Sequence, residues 1–273
     1  MEGPRPRLNR DGIEIHPPED FAGMRAAGRL AAEILDAIGP HVVPGVTTGE
    51  LDERIHEMMA AAGATPATLG YKGYPKSSCI SINHVVCHGI PGERALKNGD
   101  ILNIDVTVIL DGWFGDTSRM YIAGRASRRA ERLIRVTHDA LMRGLEQVRP
   151  GKTFGDIGAA IQEHAERARC SIVRDFCGHG LGRVFHAPPN VLHYGRRGTG
   201  ARLEPGMFFT VEPMVNLGRP DTKVLADGWT AVTRDRSLSA QFEHSVGVTE
   251  TGCEIFTLSP ANRFMPPLAS EAG

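Results

Sequence analysis

The sequence predicts an α+β fold made of two related halves, and three observations carry that prediction. Apolar residues recur at three- and four-residue steps in four stretches, short β-rich runs fall between and after them, and a pattern of turn and strand residues repeats about 107 residues on.

The first helical stretch runs from Glu19 to Ile38, where Phe21, Met24, Leu30, Ile34, Leu35 and Ile38 share one face. A second carries Leu51, Ile55, Met58 and Met59. Turn residues around Gly70 to Pro75 separate it from β-rich runs at Cys79 to Ile82 and Ile101 to Leu110. Two further helices are expected at Ser127 to Val148 and at Thr153 to Ala168, the latter opened by Thr153 and Asp156 in a capping-box pattern with Asp in place of Glu. From Phe208 onward the chain reads as strand and turn.

The halves are marked by an echo. Pro44-Gly45-x-Thr47-x-Gly49 with Ile55 recurs 106 residues later as Pro150-Gly151-x-Thr153-x-Gly155 with Ile161. At a spacing of 107, Leu96, Gly99, Ile101, Ile104 and Asp105 align with Leu203, Gly206, Phe208, Val211 and Glu212. Each half then has a helix pair followed by a strand that ends on a carboxylate, so Asp105 and Glu212 should face a shared centre. The expected organisation is an arm over 1–18, one domain over 19–258 with halves of about 19–124 and 125–258, and a tail over 259–273.

Composition narrows the class. A chain of 273 residues can bury a core without disulfides. Lys plus Arg (31) against Asp plus Glu (32) leaves a formal charge of −1, which argues against duplex DNA or an anionic membrane as the dominant partner. No stretch approaches the roughly 20 apolar residues that span a bilayer, and no apolar segment follows the Arg- and Pro-rich start, so neither membrane nor secretion is indicated. The five cysteines are odd in number and form no C-x-x-C pair, which fits reduced thiols in a cytosol. Arg128, Arg129, Arg132 and Arg135 fall on one expected helix, as a basic patch or, by default, a solvated face.

The chemistry begins at Asp111-Gly112, a hairpin signal between Ile101–Leu110 and Trp113–Tyr121. A two-residue turn pairs Leu110 with Trp113 and Thr107 with Asp116, provided no bulge forms at Gly115. Side chains two apart share a face, so Asp105 and Asp116 become same-face diagonal neighbours. The flanks Leu102, Ile104, Val106 and Val108 imply burial, and buried like charges need a cation between them, either Lys or Arg or a metal ion. His179 sits between glycines in Cys177-Gly-His-Gly-Leu-Gly182, with His186 seven residues on. Glu212 in Thr210-Val-Glu-Pro-Met214 and Glu243 in Gln241-Phe-Glu-His244 each place one acid in an apolar β-like context. Together Asp105, Asp116, His179, Glu212 and Glu243 offer four oxygen donors and one nitrogen donor, which suits two divalent first-row ions such as Mn²⁺, Fe²⁺ or Co²⁺. Two such ions roughly 3.5–4 Å apart can activate water and polarise a carbonyl for hydrolysis.

Other chemistries are absent from the sequence. His56-Glu57-Met-Met-Ala60 fails as H-E-x-x-H, no G-x-S-x-G elbow or G-K-[ST] phosphate loop occurs, and adjacent Cys87 and His88 in a strand-like run should point to opposite faces.

Gly70-Tyr-Lys-Gly-Tyr74-Pro-Lys-Ser-Ser-Cys79-Ile-Ser-Ile-Asn83-His-Val-Val-Cys-His88-Gly-Ile-Pro, Asn103-Ile-Asp105-Val, Gly115-Asp116-Thr-Ser, Gly178-His179-Gly-Leu-Gly182, Thr210-Val-Glu212-Pro-Met and Gln241-Phe-Glu243-His244 together resemble the type I methionine aminopeptidases of the bacterial form, over about Glu19 to Leu258. The resemblance implies the pseudo-twofold "pita-bread" fold, with helices outside a curved antiparallel sheet that encloses a dinuclear metal site. It implies Asp105, Asp116, His179, Glu212 and Glu243 as metal ligands, Asp105 chelating one ion and Asp116 and Glu243 bridging. It places His88 at the amide nitrogen of the scissile bond and His186 at its carbonyl oxygen, with Glu212 as base for the attacking water. It draws the methionine pocket from Tyr71, Tyr74, Cys79, Phe185 and Trp229, and a monovalent cation site from Asn83, Val85 and Ser239.

Thr68, His84 and Ala187-Pro188 depart from the family pattern, where Cys, Glu and an acidic pair are common, so the pocket rim is expected to differ. The activity implied is removal of the N-terminal methionine from nascent polypeptides when the second residue is small, by a cytoplasmic monomer in transient contact with the ribosome. Rival readings are an X-Pro peptidase of the same fold, usually carrying a large N-terminal domain, and a non-catalytic binding module, which typically loses ligands.

Overall fold

The computed structural model describes residues 7–268. Helix α1 (Asp20–Ile38) buries Phe21, Met24, Ala27, Ala31, Ile34, Leu35 and Ile38, and α2 (Thr48–Ala61) buries Leu51, Ile55 and Met59. The N-terminus of α2 is fixed by a reciprocal pair: Glu50 N donates to Thr47 Oγ1 at 3.1 Å and Thr47 N to Glu50 Oε2 at 2.7 Å. Helices α3 (Arg128–Leu145) and α4 (Phe154–Arg167) repeat this arrangement in the second half. There the shorter Asp156 takes the glutamate's place, its Oδ2 accepting from Thr153 N at 2.9 Å. All four helices fall where the apolar spacing predicts them.

The hairpin forms as expected from Asp111-Gly112. Both turn residues have positive φ, 51° and 80°, the signature of the turn whose twist matches that of paired strands. Pairing between Ile101–Leu110 and Trp113–Ile122 then runs without interruption from Leu110↔Trp113 through Thr107↔Asp116 to Ile101↔Ile122, with Val108↔Gly115 in regular register. No bulge intervenes, so Asp105, Thr107 and Asp116 share a face. Cys79–Ile82 pairs antiparallel along the other edge of Ile101–Leu110. The second half carries a five-stranded antiparallel sheet in the spatial order Cys253–Ile255, His244–Val248, Phe208–Val211, Gly178–Gly180, Ala187–Val191.

The two halves also share equivalent backbone bonds. Thr47 bridges Ala95 and Thr153 bridges Arg202. Leu96 N donates to Val46 O at 2.8 Å and Leu203 N to Lys152 O at 2.9 Å, while Gly49 N donates to Gly92 O and Gly155 N to Thr199 O. One apolar core lies beneath α1 and α2, a second beneath α3 and α4.

Residues expected as an arm and a tail pack against this body. His16 stacks on Phe208 with ring centroids 4.2 Å apart, and Ile13 is buried. At the other end Ser259 Oγ and Ala261 N donate to the Asp36 carboxylate, which also holds Arg119 at 2.6 Å, and Arg263 Nη1 donates to Asp36 O. Residues 1–6 and 269–273 of the expected arm and tail lie outside the described residues. Among the described residues no helix is long and apolar enough to cross a membrane.

Candidate metal centre and substrate cavity

The carboxylates converge on the seam between the halves. Asp105 and Asp116 come from the hairpin, His179 from Gly178–Gly180, Glu212 from the residue after Phe208–Val211, and Glu243 from the residue before His244–Val248. Glu243 is tied across the seam: its N donates to Ser118 O at 3.1 Å and its carbonyl accepts from Thr117 Oγ1 at 2.7 Å. The glycines flanking His179 are required sterically. A Cβ on Gly180 would sit 2.1 Å from Pro188 O and one on Gly178 2.4 Å from Thr210 O, so larger residues would push apart the strands that hold the imidazole.

One ligand atom from each of Asp116, His179 and Glu243 lies within 4.8 Å of the others. His179 Nδ1 lies 3.1 Å from Gly180 O, which assigns the proton to Nδ1 and leaves Nε2 facing Asp116 Oδ2 at 3.5 Å and Glu212 Oε1 at 3.7 Å. A second layer orients the acids. Thr107 Oγ1 donates to Asp116 Oδ1 at 2.8 Å, Thr210 Oγ1 to Glu212 Oε1 at 2.7 Å, and Gln241 Nε2 to Glu212 Oε2 at 3.3 Å. The buried His193 accepts from Glu212 N at 3.0 Å.

The electrostatics call for a cation. Burial, then repulsion from Asp116 and Glu212, pushes the Asp105 carboxyl well above the usual carboxylate range, and Glu243 is raised in the same way. Burial pushes Glu212 up to about 7 despite the opposing effect of His179. Burial works against a charged His179, but Asp116 and Glu212 outweigh it and raise its pKa. Asp105 Oδ1 is buried with no hydrogen-bond partner. Among the described residues the only ion pairs reaching the cluster come from His179, and none from Lys or Arg. Of the two cations left open by the sequence, the arrangement therefore fits metal ions: an orphaned carboxylate oxygen, an oriented imidazole nitrogen, and four acids whose charge two dications would cancel.

The cluster floors a cavity of 610 Å³. On one side Tyr74 meets Trp229 edge to face at 5.2 Å and His88 meets Phe176 at 5.4 Å, and Cys79 also lines the cavity. The Tyr74 hydroxyl is held between the carbonyls of Ser78 and Gly89, both at 3.0 Å. On the other side Tyr71 packs on Phe185 at 4.9 Å and stacks on His186 at 5.2 Å, and His186 lies 4.2 Å from His179. Although His186 is exposed as a residue, its ring is largely desolvated. That desolvation and then the neighbouring His179 lower it to about 4. Burial lowers His88 as well, so both rings are neutral near pH 7. All of the residues expected from the sequence at the metal site and the methionine pocket therefore line one cavity, and Thr68, Ala187 and Pro188 line it too.

One expectation is corrected. Cys87 and His88 both line the cavity, because His88 adopts φ 56° just past the strand Val85–Cys87 and breaks its side-chain alternation. The pair is still not a nucleophile with its base, since burial pushes the Cys87 thiol well above its ordinary pKa. Phe176 and His193 were not read from the sequence; neither sits in a pattern that marks it. Thr107 was recoverable from the hairpin register alone. Beside the cavity, Ser239 N donates to Asn83 O at 2.8 Å, Asn83 Oδ1 accepts from Ile101 N, and Val85 heads the adjoining strand. Ser239 Oγ is buried without a partner.

Comparison with known proteins agrees with this geometry. The model of metallopeptidase family M24 matches residues 22–250. The chain is 61% identical to the methionine aminopeptidase of Rickettsia prowazekii over 256 residues, covering 93% of this chain and 99% of that protein. It is 56% identical to the methionine aminopeptidase of Escherichia coli K12 over 248 residues, covering 90% and 94%. The crystal structure of the Rickettsia prowazekii methionine aminopeptidase superposes with a TM-score of 0.89 at 62% identity, covering 90% of this chain and all of that one.

Proposed function

The chain belongs to metallopeptidase family M24 and has its pita-bread fold, and on that premise we propose that it is a methionine aminopeptidase, removing the N-terminal methionine from nascent polypeptides. The observation that carries the reading is the convergence of Asp105, Asp116, His179, Glu212 and Glu243 at the floor of an aromatic-walled cavity.

In this reading those five residues would hold two divalent ions of the Mn, Fe or Co kind. When bound, the ions supply Lewis-acid polarisation of the peptide carbonyl and an activated water. The chain's own groups do the rest. Tyr74, Cys79, Phe185, Trp229 and Tyr71 surround an unbranched thioether side chain with polarizable surfaces. His186, neutral at pH 7, donates to the scissile carbonyl oxygen, and His88 contacts the amide nitrogen from the opposite wall. Glu212 takes the proton of the attacking water and passes it to the departing amine. Phe176 packs edge to face on His88 at 5.4 Å, and in this reading these close walls restrict the second residue to small side chains. A monovalent cation at Asn83, Val85 and Ser239 would satisfy the orphaned Ser239 Oγ. In the same reading the protein works in the cytoplasm as a monomer that contacts the ribosome transiently, and the exposed Arg128, Arg129 and Arg132 are the basic surface it would offer.

The intact ligand set argues against a pure binding module. Replacing His88 by Ala tests the distinction: an enzyme loses turnover on a methionyl peptide while keeping its metal, whereas a binding module keeps its peptide affinity and has no turnover to lose.

A further inference from the structure

A peptide whose N-terminus lies at the buried ligand cluster must leave the cavity over its exposed rim. Among the residues lining the cavity, Lys72, Asp175, His186, Pro188 and Asn190 are exposed. The acidic and basic side chains on that rim are Asp175 and Lys72. Asp175 is engaged: its carboxylate accepts from Thr222 Oγ1 at 2.5 Å, beside Phe176 on the His88 side.

Lys72 stands on the other wall. Its Nζ lies 5.2 Å from the centroid of the Tyr71 ring, and Tyr71 in turn stacks on His186. The backbone beneath it is fixed in a tight turn, Tyr71–Gly73, closed by Gly73 N to Gly70 O and Gly70 N to Tyr74 O. Among the described residues no carboxylate pairs with it, and Ala187 and Pro188 on the adjacent rim bring none. Its side chain lines the cavity next to Tyr71.

We infer that Lys72 is a specificity-determining residue whose ammonium selects a carboxylate side chain, Asp or Glu, at the third position of the substrate. The inference rests on the methionine aminopeptidase reading. With the scissile carbonyl at His186, an extended substrate carries its third residue about 7 Å further out, past Tyr71 and to the rim. An exposed pair of this kind is weak, so the effect is a graded preference and not an absolute requirement.

The test uses the metal-loaded full chain and three C-terminally amidated peptides, Met-Ala-Glu, Met-Ala-Lys and Met-Ala-Ser, so that the side chain and not a free C-terminus supplies the carboxylate. The glutamyl peptide should exceed the lysyl one in kcat/KM by about two- to five-fold, the difference residing in KM. It should shrink at about 1 M salt. Lys72→Ala should equalise the two peptides and Lys72→Glu should reverse them, while Met-Ala-Ser is hydrolysed at the same rate by all three proteins. Asp175→Asn should keep the wild-type order. A preference that survives in Lys72→Ala, or a loss that falls equally on Met-Ala-Ser, overturns the role of Lys72. Failure of the wild-type protein on Met-Ala-Ser overturns the underlying activity and the role of Lys72 with it.

Discussion

Thr107 and Asp116 face each other across the Asp111-Gly112 hairpin, and the Thr107 hydroxyl donates to Asp116 Oδ1 at 2.8 Å while Oδ2 of the same carboxylate faces His179. One oxygen of a central acid is thus fixed by the sheet and the other is aimed at the cluster. Thr107→Val keeps the shape and removes the donor. It should weaken divalent metal affinity by about 10- to 100-fold, measured by calorimetric titration of the metal-free protein, with activity largely recovered at saturating metal. Unchanged affinity would mean that Asp116 is oriented by other contacts.

Asp105 gives a prediction with two opposite signs. Its Oδ1 is buried without a partner and its negative charge is opposed by Asp116 and Glu212. Asp105→Asn should abolish peptidase activity yet leave the metal-free protein as stable as the parent or more so. A gain of 1 kcal/mol would appear as a melting rise of about 2–4 °C. A variant that loses activity and melts lower without metal would assign Asp105 a structural role instead.

The raised carboxyls also predict how stability moves with pH. Folded Glu212 keeps its proton up to about 7, above its ordinary value, and Asp105 and Glu243 are shifted the same way. Their contribution is therefore fully present below the unfolded carboxyl pKa and is lost as pH rises through the folded ones. Without metal the protein should lose this stability between about pH 5 and pH 8, and Mn²⁺ should restore it, so the metal-induced rise in melting temperature grows across that range. A metal-induced rise that is flat with pH contradicts the buried cluster.

His193 acts with the opposite sign. Burial lowers it to about 3, and its Nε2 accepts from Glu212 N. The unfolded chain takes up a proton near the ordinary histidine value, so this stability is present above that value and lost as pH falls toward about 3. His193→Gln should flatten the acid limb of the stability curve by roughly 1 kcal/mol per pH unit, read from urea midpoints of metal-loaded protein. An acid limb of unchanged slope would show that His193 is not the group that titrates.

Much of this was legible in the sequence because short-range rules decide it. Asp-Gly sets the hairpin register, the register places Asp105 with Asp116, and the Thr153–Asp156 spacing caps α4. The echo marks two halves because each rebuilds the same backbone bonds, Thr47 to Ala95 and Thr153 to Arg202. What sequence spacing could not convey are long-range contacts and single backbone dihedrals. Strand alternation predicted Cys87 and His88 on opposite faces, and one left-handed φ at His88 brings both to the cavity. Nothing local marks Asp36 as the anchor of the C-terminal segment, because its partners Arg119, Ser259 and Arg263 lie 83, 223 and 227 residues away. The pocket residues became readable through family resemblance, since apolar periodicity does not distinguish Tyr74 or Phe185 from ordinary core.

The central claim is that the five ligands and the aromatic cavity together remove an N-terminal methionine. The most direct measurement incubates protein loaded anaerobically with Mn²⁺ or Co²⁺ with Met-Ala-Ser and with Leu-Pro, and follows the products by mass. Release of free methionine from Met-Ala-Ser, lost on chelation and regained on metal addition, with Leu-Pro left intact, is the predicted result. Cleavage of Leu-Pro with Met-Ala-Ser untouched would contradict the account.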